Sequence, residues 1–265
     1  MASDGLQVTK ASGWLSGFRN MLRKENGQWW NTRRWLVQSV IWLLLLNGIV
    51  SLPLMFDSAE VRVGVEGQLM VPIQLFVTLM GAMTPFGVMV LTQSDIVGEK
   101  QSGTAEWVLS APLSREAFVL SKLVVNYGWI LVVLVLLQGL GFELELMALS
   151  GQLVPALDLL GGLAIQGLHL LFWLTLSLML GAFFKGRGPV LGIPIGLSVL
   201  QDLVAGFGGM YYPWIPLILP RMLPELALQA TLGQQLSTMV PLAAIMVWST
   251  LFMVAAIWRF KREEF

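Results

Sequence analysis

The sequence contains no cysteine and a single histidine, His169. The lack of cysteine excludes disulfide bonds, thiolate metal sites and thiol catalysis, and it says nothing about the cellular compartment. Charged residues are also scarce, at 12% of the chain compared with roughly 25% in an ordinary soluble domain. The formal net charge of +0 gives no electrostatic argument for a nucleic-acid partner, and we expect none.

Several catalytic motifs are missing as well. The sequence has no GxxxxGK[ST] phosphate-binding loop, because its nearest glycine cluster, GAFFKGRGP, lacks the spacing and the hydroxyl ligand for magnesium. It also has no HExxH or GxSxG motif and no dense group of histidines and carboxylates, so we expect no bound metal or cofactor. An intramembrane hydrolase or transferase normally needs such a group, and the sequence therefore favours a protein that is not an enzyme.

Hydrophobic residues are what the sequence has in abundance, at 56%. A membrane span needs about 20 predominantly apolar residues. Six segments meet this requirement: 35–56, 71–92, 117–140, 159–184, 189–207 and 239–258. The fifth is the shortest, and Gly192, Pro194 and Gly196 predict a kink in it. We expect an all-α membrane protein with six transmembrane helices in a single domain, residues 1–265.

The basic residues predict the orientation of these spans, since cytoplasmic segments are rich in lysine and arginine. With the N-terminus inside, 14 of the 16 basic residues fall on the inner side, and only Arg62 and Arg221 fall outside. The opposite orientation would invert this bias, so we expect both termini to be cytoplasmic. The expected location is the plasma (inner) membrane of a prokaryote, which the chain crosses several times.

Two regions outside the spans also have recognisable patterns. In residues 1–34, apolar side chains from Trp14 to Leu22 alternate at helical spacing with Arg19, Arg23 and Lys24, which predicts an amphipathic helix at the cytoplasmic interface. Such a helix could be a simple anchor or a mechanical element. In the external region 208–238, four prolines forbid one long helix, and we expect short interfacial or re-entrant helices there.

The segment 93–116, between the second and third spans, holds the densest pattern in the chain. Gly103 predicts a break, and Thr104 can cap a short helix in which Glu106 lies near the positive end. Trp107 places an apolar group on that helix, and Pro112 ends it. Ser114 can then cap the third span, with Glu116 in its first turn.

This segment resembles the signature of the type-2 ATP-binding-cassette (ABC) transporter permeases. The matching residues are Glu99, Gly103, Thr104, Glu106, Leu109, Ser110, Pro112, Ser114, Arg115 and Lys122. The close match covers about 26 residues, and the six-span layout extends it loosely over the whole chain. Ala105 and Val108 depart from it, since leucines are common there in the family, and Ser121 stands where glycine is common.

The resemblance implies that the chain is the permease subunit of an exporter for a small or amphipathic substrate. Its partners would be a cytoplasmic ABC ATPase, which binds ATP and magnesium, and a second permease, either identical or homologous. Residues 104–109 would form a coupling helix in a groove of the ATPase, and Glu99 would transmit the motion. The residues that this assigns to ATPase coupling are Glu99, Gly103, Thr104, Glu106, Trp107, Leu109, Pro112 and Arg115.

Two alternatives to this assignment stay open. The segment 93–116 could be a well-capped connector without a partner, although a connector needs neither an exposed tryptophan nor two successive caps. The whole protein could instead be a membrane anchor or assembly protein that docks a cytoplasmic partner without transport.

Polar side chains within the spans are candidates for a substrate path, because they are costly in hydrocarbon. The candidates are Gln74, Thr78, His169, Ser198, Gln201 and Asp202. The resemblance places spans two and five around the central path. Asp202 could instead close a local hydrogen-bond network near the outer surface, and His169 could simply bond to a neighbouring helix.

Overall fold

The computed structural model describes residues 13–56, 70–109 and 113–263. Lys10, Arg62 and the segment 110–112, including Pro112, lie outside this part of the chain. All regular structure within it is helical. The α-helices are α1 (Phe18–Asn31), α2 (Arg34–Trp42), α3 (Gly48–Phe56), α4 (Met70–Thr92), α5 (Val97–Gln101), α6 (Thr104–Leu109), α7 (Arg115–Ile130), α8 (Leu137–Ser150), α9 (Ala156–Phe183), α10 (Arg187–Tyr211), α11 (Met222–Thr231) and α12 (Val240–Lys261).

Within the described residues, six helical stretches are long and apolar enough to cross a membrane, which confirms the six predicted spans. They are Arg34–Leu52, Met70–Gln101, Arg115–Ser150, Ala156–Phe183, Arg187–Tyr211 and Val240–Lys261. The second extends nine residues beyond its predicted end, because it includes α5, and the third extends ten. Glu143 and Glu145 lower the hydropathy there, whereas the strong helix formers around them keep the backbone helical. Pro194 lies inside the continuous helix α10, and the expected kink stays a prediction.

Helix α9 lies at the centre of the bundle. In an 18-residue apolar stretch of α9, 78% is buried inside the structure, compared with 17% in the corresponding stretch of α10. It packs against α12, α11 and α4, and its buried side chains include Leu170, Trp173 and Leu174. An apolar helix that is buried on nearly all sides is a core element, and the other spans are arranged around α9.

Helix α11 packs against both α4 and α9. A Cβ atom on Gly81 of α4 would lie 2.5 Å from Cγ of Pro224, and one on Gly162 of α9 would lie 1.9 Å from Oγ1 of Thr231. These glycines therefore allow α11 to approach two spans closely. A 3₁₀ turn, Pro216–Ile218, precedes α11, so the region 208–238 is divided into short helical elements, as its prolines predict.

In the part of the chain that the structure describes, two spans contain π-helical segments. Leu43–Asn47 joins α2 to α3, and Leu131–Leu136 joins α7 to α8. Nδ2 of Asn47 donates a hydrogen bond to Oε1 of Gln138 at 3.2 Å, and Nε2 of Gln138 donates to the carbonyl of Val133 at 2.8 Å. Both side chains are buried, so they satisfy backbone and side-chain groups inside the bundle where water has no access.

Candidate functional site

Two short helices, α5 and α6, follow α4 and meet at Gly103, and α5 is the last part of the second apolar stretch, Met70–Gln101. Gly103 has a φ of +69°, in the left-handed region that favours glycine. Its N–H donates to the carbonyl of Lys100 at 3.3 Å, which closes the turn after α5. The structure thus has the helix break that the sequence predicts at this position.

Helix α6 carries four of the predicted coupling residues. Thr104 begins the helix, and its hydroxyl lies 2.8 Å from the hydroxyl of Ser102. Trp107 has 77% of its surface exposed. Glu106 and Leu109 lie on the same helix. An exposed tryptophan of this extent is unusual on a surface that only faces water.

Four charged residues from α1, α5 and α7 form a partly buried group, and we call Lys24, Glu25, Glu99 and Lys122 the ion cluster. Nζ of Lys122 lies 2.9 Å from Oε1 of Glu25 and 2.9 Å from Oε1 of Glu99. Nζ of Lys24 lies 2.7 Å from the same oxygen of Glu99. The side chain of Lys122 is only 1% exposed. Two positive and two negative groups from α1, α5 and α7 thus neutralise one another.

A second polar chain ties the end of α4 to the same helices. Nδ2 of Asn126 donates to Oδ2 of Asp95 at 2.7 Å, and Nε1 of Trp29 donates to Oδ1 of Asn126 at 2.9 Å. The guanidinium of Arg34 lies over the ring of Trp29 at 4.6 Å and donates to the carbonyl of Leu91. The turn before α5 is therefore fixed against α1, α2 and α7.

The neighbouring Lys100 connects α5 to the other side of the bundle. Its Nζ lies 2.6 Å from Oε2 of Glu263 and donates to the carbonyl of Ala182 at 2.8 Å. Consecutive residues of α5 are thus held by different helices: Glu99 by α1 and α7, and Lys100 by the end of α9 and the segment after α12.

Arg115, another predicted coupling residue, binds the C-terminal end of α12. Its Nη1 donates to the carbonyls of Phe260, Lys261 and Glu263 at 3.1, 2.7 and 2.7 Å. Carbonyls at the end of a helix lack partners within the helix, and a cation is favourable there. The backbone N–H of Ala117 donates to Oγ of Ser114 at 3.1 Å, which confirms the predicted cap of the third span.

The ion cluster ties α5 to α1 and α7. Removal of one partner from a buried ion pair typically costs about 3–5 kcal/mol, because the other charge is left unpaired. A displacement of α6 therefore cannot separate α5 from α1 and α7 without that cost. This arrangement can transmit a movement at α6 to the third span and to α1.

A family model described as a protein of unknown function, DUF2705, matches residues 32–265. The chain belongs to the DUF2705 family. No curated protein matches it. The matched region of this DUF2705 protein includes all six membrane spans together with α5 and α6, whereas α1 precedes it.

The predicted substrate-path residues of the DUF2705 protein lie in different environments. Gln74 and Thr78 are exposed on α4, and the side chain of Asp202 on α10 is 69% exposed. Oδ1 of Asp202 lies 3.3 Å from Nε of Arg221, a local pairing of the kind that the alternative interpretation of Asp202 describes. Ser198 and Gln201 bond back to carbonyls of α10 itself, at 2.8 and 3.2 Å.

His169 is separated from that surface because it is buried in α9. Its Nε2 accepts a hydrogen bond from Nε1 of Trp173 at 3.0 Å, so its partner lies on the same helix rather than on a neighbouring one. Gln166, one turn earlier, donates from Nε2 to the carbonyl of Val77 at 3.2 Å. Both residues thus take part in contacts within the bundle.

Sequence reasoning missed Glu25, Asp95 and Asn126 as members of this site. Glu25 gave the clearest signal, because it lies one turn from Met21 and one turn from Trp29 on the apolar side of α1. A carboxylate on the buried face of an amphipathic helix needs a buried cation. Lys122 is that cation, and its position as the eighth residue of the third apolar stretch is the matching signal.

Proposed function

We propose that this DUF2705 protein is the permease subunit of an ABC exporter that moves a small or amphipathic substrate with ATP hydrolysed by a separate subunit. The observation that carries the proposal is the ion pair between Glu99 and Lys122, at 2.9 Å. These two residues lie at opposite ends of the signature-like segment. A pattern of mere surface residues gives no reason for its two ends to meet in an ion pair in which Lys122 is fully buried and Glu99 is partly buried.

In this proposal the cytoplasmic ATPase docks on α6, with Trp107 at the centre of the contact. Closure of two ATPase chains around ATP and magnesium displaces α6 and α5. The ion cluster passes the displacement to α1 and α7, and the contacts of Lys100 and Arg115 pass it to α12. Such rigid-body movement at a remote site is a common way of switching between conformations.

The proposed orientation follows from the basic residues. Both termini, α5 and α6 face the cytoplasm of a prokaryotic cell, α1 lies in the cytoplasmic interface, and the region 208–238 faces outward. Gly81, which contacts Pro224, lies 11 residues into α4, about 16 Å from its outer end at 1.5 Å per residue. Because the hydrocarbon core is about 30 Å thick, α11 is then a re-entrant helix that reaches its middle.

A second permease completes the transporter in this proposal. Gln74, Thr78 and Asp202 are exposed on α4 and α10, where a single chain would present them to lipid. Polar groups in a membrane span usually face other protein or a water-filled path. We propose that the second permease, an identical or homologous chain, covers this surface and that the substrate path runs beside it.

The test of ATPase docking is co-purification of the tagged full-length chain from its native membranes in mild detergent. We expect an ATPase with a phosphate-binding loop to co-purify with the wild type, and the double variant Glu106→Ala, Trp107→Ala to lose at least about tenfold of it. Trp214→Ala is the matched control, since Trp214 is also exposed, at 56%, but lies in the region 208–238. Equal recovery of the ATPase with all three proteins would rule out docking at α6.

Transport itself requires a second measurement. The reconstituted complex should show ATP hydrolysis that rises with at least one compound in a panel of lipids, drugs and peptides. If the ATPase co-purifies through α6 but no compound is moved or stimulates hydrolysis, the anchor or assembly function replaces the exporter.

A further inference from the structure

A groove of about 650 Å³ lies between α1 and the third span. Its apolar wall on the third span includes Val124, Gly128 and Val132, which share one face because they are four residues apart. This wall is about 12 Å long at 1.5 Å per residue. Leu22 and Arg23 line the groove from α1.

Gly128 makes this groove deeper. A Cβ atom there would meet nothing within 4 Å, whereas one on Gly139 or Gly167 would lie 2.5 or 2.7 Å from a leucine side chain. Those two glycines are explained by the close approach of a neighbouring helix. Gly128 has no such neighbour, although glycine in a helix interior is destabilising relative to alanine. The absence of a side chain at Gly128 therefore leaves open space in the groove.

Arg23 supplies a positive charge to the groove. Lys24 and Glu25, the next two residues, belong to the ion cluster, but Arg23 takes part in no ion pair with any residue in the described part of the chain. The wall also includes Trp129, which stacks on Trp29 at 5.8 Å. Tryptophans are enriched at the level of lipid headgroups.

We propose that the groove binds one anionic phospholipid, with an acyl chain over Gly128 and the headgroup at Arg23. The length of the wall, about 12 Å, is close to the hydrocarbon depth of one leaflet, about 15 Å. Basic pockets beside membrane helices on the cytoplasmic side are suited to anionic headgroups. This site requires that α1 lies at the membrane, and it does not depend on an ATPase or on transport.

The test uses the full-length chain in detergent, titrated with phosphatidylglycerol or phosphatidylcholine, and counts bound lipids by native mass spectrometry. Gly128→Leu fills the groove, and Gly192→Leu is its matched control, because Gly192 also has open space but lies on α10. Arg23→Gln removes the charge, and Lys185→Gln removes an exposed charge outside the groove.

We expect one phosphatidylglycerol per wild-type chain, with clear preference over phosphatidylcholine. Arg23→Gln should weaken its binding about fivefold, the ratio expected for one basic residue near an anionic surface. Gly128→Leu should abolish the binding of phosphatidylglycerol, and both control variants should retain it.

If the Arg23 and Gly128 variants both bind phosphatidylglycerol as well as the wild type does, or if the wild type binds the two lipids equally, the proposal is overturned. A Gly128→Leu variant that changes only the number of associated chains would show that another protein copy occupies the groove. If Gly128→Leu fails to fold, Arg23→Gln alone decides the question.

Discussion

The ammonium group of Lys122 is buried between the carboxylates of Glu25 and Glu99. Lys122→Met keeps the length of the side chain but leaves both carboxylates with only Lys24 as a partner. We expect the free energy of unfolding to fall by about 3–5 kcal/mol. The midpoint of thermal unfolding in detergent, followed by tryptophan fluorescence, measures this loss.

Lys261→Met is the control for this prediction. Lys261 pairs with Glu116 at 2.6 Å, but its side chain is 50% exposed, and exposed pairs contribute about 0–1 kcal/mol. Adding Glu25→Gln to Lys122→Met should recover part of the stability by removing one unpaired charge. Equal effects of the two lysine variants would mean that the ion cluster does not hold α5 in place.

Single residues were predictable from the sequence where the local backbone decides their role. The break at Gly103 and the cap at Ser114 follow from conformation and capping preferences, which act within a few residues. Glu25 lies 97 residues from Lys122, and their contact depends on how α1 packs against α7. No local preference contains the identity of that distant partner, so Glu25 was missed and the pairing of Lys122 with it was not predicted.

At the level of the helices, the close fit of α11 leads to a prediction for two adjacent glycines of α9. A Cβ atom on Gly162 would clash with Thr231 at 1.9 Å and with the carbonyl of Ala227 at 2.9 Å. One on Gly161 would make an ordinary contact with Ala230 at 3.6 Å. We expect Gly162→Ala to destabilise the protein by about 1–3 kcal/mol through overpacking.

Gly161→Ala is the matched control and should be neutral or stabilising by up to about 1 kcal/mol, because alanine is the better helix former. Limited proteolysis of the region 208–238 measures the difference. Cleavage should be faster than in the wild type for Gly162→Ala but not for Gly161→Ala, because a displaced α11 exposes its flanking segments. If both variants are cleaved at the wild-type rate, α11 does not pack on Gly162.

The spans themselves were largely predictable, because hydropathy over about 20 residues is a strong signal. Four of the six were predicted to within a few residues at both ends, whereas the second and the third were predicted nine and ten residues too short at their C-terminal ends. In the third, hydropathy falls at Glu143 and Glu145 while helix propensity does not. The packing position of α11 against α4 and α9 was not predictable from the sequence. Glycines are common in membrane spans, and only the packed structure shows that another helix, α11, packs directly against Gly81 and Gly162.

For the whole molecule, the exposed polar face of α4 predicts contact with a second permease. Since the chain has no cysteine, Thr78→Cys introduces a single thiol on that face. We expect oxidation in native membranes to give a covalent dimer if the second permease is an identical chain. Leu144→Cys is the control, because Leu144 is 69% exposed on α8 and not on the proposed contact surface.

A homologous partner would instead give a cross-linked product of different mass, or no product if it carries no thiol. In the second case, a bifunctional maleimide–amine reagent would attach the partner to the cysteine at position 78 but not to the cysteine at position 144. Cross-linking of neither thiol with either reagent, together with free labelling of both by a lipid-soluble maleimide, would show that Gln74 and Thr78 face lipid. That outcome would remove the second permease from this surface, and with it the reason to place a substrate path beside α4 and α10, since polar groups that face lipid need no path to explain them.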